Sequence, residues 1–257
     1  MPIAVTATDA LHNRRENQFP QGIAKSFFRR LYIGSEPANG GTLEREKAHL
    51  PQAYLVEQPA DSTVAPHFHD TNQFQLFVHG HGRFGKISVD GLMVHYAGAH
   101  TPYGPIVAEA DGVHYLTLRN SWDSGAKIMP KSRAMLRKVK RVHRMATDFA
   151  AAPAQCLLSC DVSERDLIGL EDDGLGVRQY DIGAGQSCQL GFALAGAGAY
   201  AFVLAGDIIY EGDLLETQSL IHRAANEGAL DVVAGDAGAT VIFLQFPPEP
   251  PELEEAN

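Results

Sequence analysis

Pro66-His67-Phe68-His69-Asp70-Thr71-Asn72-Gln73, followed after six more residues by Gly80, is the stretch that decides how this chain reads. In an extended strand alternate side chains share a face, so His67 and His69 point the same way. A turn through Asp70-Thr71-Asn72 can then fold Gln73, on the next strand, back beside them. Two neutral imidazoles and one amide oxygen are donors that suit a divalent transition metal. Seven of the eleven histidines lie between His67 and His114, which concentrates the chemistry in the first half of the chain.

Outward from that stretch, most segments are short runs rich in Val, Ile, Leu, Phe and Tyr, divided by Gly, Asp, Asn and Pro. That spacing predicts an all-β sandwich or barrel. The two halves also look alike when slid by about 125 residues, a sign of an internal repeat. Gln75-Leu76-Phe77-Val78 falls on Tyr200-Ala201-Phe202-Val203, and His114-Tyr115-Leu116-Thr117-Leu118 falls near Val241-Ile242-Phe243-Leu244-Gln245. The shift carries His67 onto Phe192, His69 onto Leu194 and Gln73 onto Gly198, so the second unit lacks the candidate ligands.

The spacing around residues 66 to 80 resembles the first motif of the cupin superfamily: His-x-His, three or four residues, Glu, six residues, Gly. Gln73 stands where Glu is usual, which leaves the site one negative charge poorer. The resemblance, with the repeat, implies a bicupin: two jelly-roll β-barrels in tandem, the second degenerate. The expected boundaries are an N-terminal arm over 1–48, a first barrel over 49–128, a basic connector over 129–150, a second barrel over 151–247 and an acidic, proline-rich tail over 248–257. Seven Lys or Arg residues lie between 131 and 144, and Leu136, Val139 and Val142 or His143 recur at helical spacing, so the connector is expected to be an amphipathic helix starting after Ser132. The tail is expected to be solvated.

The superfamily's second motif, Gly, five residues, Pro-x-Gly, two residues, His, is only half present. Pro102-Tyr103-Gly104 fits its centre, but Val107 occupies the histidine position. His114 is the candidate replacement ligand beside His67, His69 and Gln73, and His100 is the competing one; water or substrate can also complete the shell. Tyr103, in a proline-fixed loop, and His100 are candidates for moving a proton. Gln75, on the same strand face as Gln73, Tyr103 and Arg119 are candidates for holding substrate. His79 and His81 are expected at the surface, and His95 as a satisfied strand histidine.

Bulk properties narrow the field. At 257 residues with 45 % hydrophobic content the chain can bury a substantial core. A net charge of −10 argues against a general nucleic-acid binder, since phosphate binding rests on a positive field. The N-terminus shows no basic segment leading into an apolar run and no eighteen apolar residues are consecutive, so no membrane association is expected. Cys156, Cys160 and Cys188 are too few for a disulfide framework and fit a reducing cytoplasm, with Cys156 and Cys160 read as buried thiols. The resemblance implies a metal-dependent enzyme of dioxygenase, lyase or isomerase type, using Fe, Mn, Ni, Cu or Zn on a small organic molecule, and a homodimer. A metal-free epimerase-like cupin and a non-catalytic small-molecule-binding bicupin are the alternatives.

Overall fold

The long strand Gln73–Phe84 organises the first barrel. It pairs antiparallel with Ile106–Arg119 on one side and with Met93–Ala97 on the other. The computed structural model describes residues 1–18, 26–35 and 50–249 of the chain. They form two units: Asn13–Asp148 with Glu249, and Met1–His12 with Phe149–Pro248.

In the first of these units the main sheet runs His143–Ala146, Met93–Ala97, Gln73–Phe84, Ile106–Arg119, Gln52–Gln58, Ser26–Ile33, Arg14–Gln18. Thr63–Val64 and Ile87–Asp90 attach to it, and His67–Phe68 pairs with Lys127–Ile128 in a small separate sheet. Phe27, Tyr54, Val56, Phe77, Phe84, Tyr103, Ile106, Val113 and Tyr115 pack as one apolar cluster. Gly80 explains its place in the motif. Its φ is +87°, and a Cβ there would fall on the carbonyl oxygen of Gly112, where the strand pair is bulged.

The second unit is built alike: Ile3–Val5, Leu220–Ala224, Gly198–Tyr210, Leu230–Gln245, Gly176–Ile182, Ser163–Ile168, with Ser187–Leu190 and Asp213–Glu216 attached. Tyr180, Ile182, Leu190, Ala201, Val203, Ile208, Val241 and Phe243 fill its interior. The repeat is real but is offset by one residue from the sequence reading. Gly80, with positive φ and a Cβ that would fall on the Gly112 carbonyl, has its counterpart in Gly206 against Gly238, and Gln75 and Ala201 each face their barrel's interior, so Gln75 matches Ala201 rather than Tyr200. In a strand that single residue decides which face is being compared.

Four further expectations are corrected. The segment before residue 48 is not a separate arm over its described part. Arg14–Gln18 and Ser26–Ile33 are strands of the first barrel, because Phe27, Arg29 and Ile33 are buried against it, and Ile3–Val5 pairs with Leu220–His222. Residues 19–25 and 36–48 of that segment lie outside the described residues. The basic connector is not a helix: it holds one 3-10 turn, Arg133–Met135, and then the strand His143–Ala146. Ser132 makes no side-chain cap, and a helix here would stack like charges three and four residues apart. The start of the tail is not simply solvated, since the Glu249 carboxylate accepts the backbone N–H of Asn72 at 2.9 and 3.0 Å; residues 250–257 lie outside the described residues. Cys156 is exposed and Cys160 half-buried, so of the three thiols only Cys188 is buried. Among the described residues no helix is long and apolar enough to cross a membrane.

Candidate functional site

Parity along the strands selects what faces the interior of the first barrel. On Gln73–Phe84 the inward residues begin with Gln73 and Gln75, and on Ile106–Arg119 they are Tyr115, Thr117 and Arg119. On the short strand His67–Phe68 and its continuation, His67 and His69 face in while Phe68 packs the other way. Tyr103 is fixed beside them by paired backbone bonds with His67, N–H to carbonyl at 3.0 and 2.9 Å. These side chains, with Phe27, Arg29 and Tyr54, line a cavity of about 70 Å³.

Both histidines are anchored through Nδ1. That of His67 donates to the Ala65 carbonyl at 2.7 Å, and that of His69 donates to Asp123 at 2.7 Å. Each anchor fixes the tautomer and leaves Nε2 as the acceptor. Burial holds both rings neutral, with the pKa of His67 pushed down to about 4 and that of His69 to about 3; Arg119 adds to the effect on both. Asp123 is fully buried, which by itself favours its neutral form. The neighbouring His69, Arg119 and Lys127 outweigh burial and keep it ionised far below the usual carboxylate range. Its two oxygens also accept the backbone N–H groups of Asp70 at 2.8 Å and Gly125 at 2.7 Å.

Arg119 is the centre of the polar network and is 0 % exposed. Its Nε donates to the amide oxygen of Gln73 at 3.0 Å, and Nη2 donates to that oxygen as well. Nη2 also lies 3.2 Å from His69 Nε2 and 3.1 Å from its Nδ1. At the other end Nη1 donates to Gln52 Oε1 at 2.5 Å and to Tyr54 Oη at 3.2 Å. Gln73 turns its amide nitrogen to Tyr103 Oη at 2.5 Å, and burial holds that phenol well above its ordinary pKa. Gln75 accepts from His95 Nδ1 at 3.1 Å, and His95 in turn meets His143 at 3.1 Å.

The structure therefore brings together His67, His69, Gln73, Gln75, Tyr103 and Arg119. It does not bring in His114, which shares the face of Leu116 and Leu118 and stacks with His79, ring centroids 4.8 Å apart, away from the cavity. His100 is also outside the cavity lining. Its ring packs near Phe68, and its Nδ1 is 3.9 Å from Asp70. His81 is exposed and His95 buried and bonded, as their sequence contexts imply. Asp123, Gln52 and Tyr54 were not foreseen. Trp122-Asp123-Ser124-Gly125 does carry a signal, a turn in which Asp caps the amide two residues on, but nothing in it points to His69.

The histidine pair fits a divalent transition metal on donor chemistry. Each ring lines the cavity with Nδ1 tied to a carbonyl or carboxylate, which leaves Nε2 as the donor, the arrangement that orients metal-bound imidazoles. Gln73 fits that role only when Arg119 releases its oxygen. Among the described residues no group of three or more His, Cys, Asp or Glu side chains is placed to hold an ion, so a third donor must be Gln73, water or the ligand itself.

Neither a protein-family model nor a curated protein matches the chain. Solved structures do match over nearly its whole length. A "putative dioxygenase" from Nostoc punctiforme superposes with a TM-score of 0.61 at 10 % identity, covering 99 % of this chain and 86 % of that one. Bacterial pirin YhhW from Escherichia coli, in complex with nickel(II), gives a TM-score of 0.56 at 12 % identity, covering 96 % of this chain and 100 % of that one. GK1651 from Geobacillus kaustophilus gives 0.50 at 13 % identity, covering 91 % and 94 %.

Proposed function

We propose that this chain, a two-barrel cupin by fold, acts on a small organic molecule inside its first barrel, with a divalent transition metal taken up by His67 and His69. The observation that carries the reading is the pair of neutral imidazoles, each anchored at Nδ1 so that Nε2 keeps the lone pair, side by side in the lining of one cavity. When bound there, such an ion supplies a Lewis acid for a substrate oxygen. The reaction class closest to hand is that carried by the name of the Nostoc punctiforme protein, a dioxygenase, with lyase and isomerase as the other forms of the same proposal.

The chain's own side chains have distinct tasks in this reading. Tyr103 accepts from Gln73, so its own proton is directed to a ligand oxygen, and its raised pKa keeps that proton in place. His67 Nε2 is unprotonated at neutral pH and so is available to the ion. Gln75 and Arg119 orient the substrate, Arg119 favouring an anionic or enolic group.

The test is a titration of metal-stripped protein with Zn²⁺, Ni²⁺ and Fe²⁺, followed by elemental analysis. About one ion per chain is expected, lost in the His67→Ala/His69→Ala variant. No binding, or binding that survives in the variant, overturns the reading. A second reading, capture of a small anion without turnover, is favoured by the buried Arg119 cation. It is supported where a small carboxylate raises the melting temperature and is recovered unchanged after incubation with metal-loaded protein.

A further inference from the structure

The bonds of Arg119 go to the same atoms that an ion would use. His69 has given Nδ1–H to Asp123, so its remaining lone pair is on Nε2, and Nη2 of Arg119 sits against the ring, 3.2 Å from Nε2 and 3.1 Å from Nδ1. The Gln73 amide oxygen takes two N–H groups from the same guanidinium. Gln52 and Tyr54 grip the far side of the side chain and hold it across the site. The positive charge is already compensated: Asp123 is ionised and bonded to His69, and Lys127 is shared between Asp70 at 2.6 Å and Asp123 at 3.5 Å. A divalent ion added to this arrangement would be repelled by a neighbouring cation in a poorly screened interior.

Space argues the same way. The cavity, at about 70 Å³, is about half the ~150 Å³ that admits benzene in an engineered apolar cavity. The guanidinium is the group whose withdrawal would free both the donors and the room.

We infer that Arg119 is a tethered cation standing at the metal position of the first barrel, where it competes with a divalent ion for His69 and Gln73. The inference rests on the metal reading proposed above and adds a control to it: metal uptake requires the guanidinium to leave. A ligand that draws the guanidinium away must then tighten metal binding, since the two events share one equilibrium.

The experiment compares calorimetric titrations of Zn²⁺ and Ni²⁺ into metal-stripped wild type, Arg119→Met and Arg119→Met/His67→Ala/His69→Ala. Methionine is apolar and of comparable length, so it removes the charge without opening a large void. The Met variant should bind at least ~10-fold more tightly than wild type, on the scale by which groups around a metal ligand alter affinity, and the triple variant should not bind. Equal, tight binding by wild type and Arg119→Met overturns the inference and leaves the metal reading standing. Absence of binding in every form overturns both. A measurement on the wild type itself covers the case in which the Met variant does not fold. The ¹⁵N resonance of the Arg119 Nε–Hε group should shift and lose its protection from exchange as Zn²⁺ saturates the protein. A signal that stays unchanged at saturation overturns the inference.

Discussion

The two barrels share a strand plan and differ in what faces inward. At matched positions the first barrel places Gln73, Gln75, Thr117 and Arg119 where the second places Ala199, Ala201, Phe243 and Gln245. Both interiors are almost free of solvent and both hold a packed apolar cluster, but the first adds a charged hydrogen-bonded network around a cavity, where the second has the Arg223 to Gln245 bond at the matching end. The strand backbone is therefore indifferent to the polarity of its inner face, provided each buried polar group is partnered. The costs differ in kind. The second barrel is held by close packing, whereas the first depends on a few charges whose partners cannot be removed singly.

The largest test of that difference is Asp123→Ala. It leaves His69 without its anchor, two backbone N–H groups without an acceptor, and Arg119 and Lys127 without a shared counter-charge. A loss of about 3–5 kcal/mol is expected, the scale for breaking a buried ion pair on one side. Urea unfolding followed by the fluorescence of Trp122, the single tryptophan and a buried residue of the first barrel, reads it directly. A loss below about 1 kcal/mol would mean that the network is not what holds this barrel. The mirror experiment is Ala201→Gln in the second barrel. It imports the amide of Gln75 into an interior that offers it no partner and no room, and should cost about 2–4 kcal/mol from overpacking and desolvation together. Circular dichroism should show an early transition that Trp122 fluorescence does not.

The resemblance at residues 66 to 80 made the fold legible, because His-x-His, a turn and a glycine with positive φ are each tied to a local backbone requirement. The inward histidines and Gln73 and Gln75 followed from strand parity alone. His114 was misjudged although plain alternation back from Arg119, through Thr117 and Tyr115, already puts it on the outer face with Leu116 and Leu118. The irregularity beside it, the unpaired Val78, is on the neighbouring strand Gln73–Phe84. Asp123 and Gln52 reach the site from 54 and 67 residues away in the chain, to His69 and Arg119 respectively, and no local pattern encodes such a meeting. Arg119 was legible as a charged residue late in a strand, but its burial with Gln73 as acceptor was not.

Acid should separate the barrels next. His67 and His69 have folded pKa values near 4 and 3, below the ~6.5 of an unfolded histidine, so the unfolded chain binds their protons first as pH falls. Their contribution is whole above about pH 6.5 and is lost as pH falls toward 4, by about 3 kcal/mol for His67. The second barrel has a single matching group, His222, also held near 4 by burial. His67→Gln/His69→Gln should therefore flatten the decline in stability between pH 6.5 and 4 more than His222→Gln does. Equal flattening by the two variants would remove this distinction between the barrels.

The smallest effect expected is the most pointed. Gln75→Ala gives the first barrel the residue found at the matching position of the second, and removes the acceptor of His95 Nδ1. The adjacent cavity can admit a water to the orphaned nitrogen, so the cost should be about 1 kcal/mol, the low end for a buried donor left unpaired. Thr117→Phe alone should be worse, since Gln75 lies directly across the strand pair and the ring would be forced against it. Combined, the two changes recreate the Ala201 and Phe243 pairing, and the ring fills the space the amide has left. The double variant should be more stable than the sum of the single losses predicts, with a coupling of about 1 kcal/mol in the fluorescence-monitored melt. Strict additivity would mean that the inner faces cannot be exchanged pair by pair, and that the polarity of the first barrel is fixed by the whole Arg119 network rather than by each strand pairing.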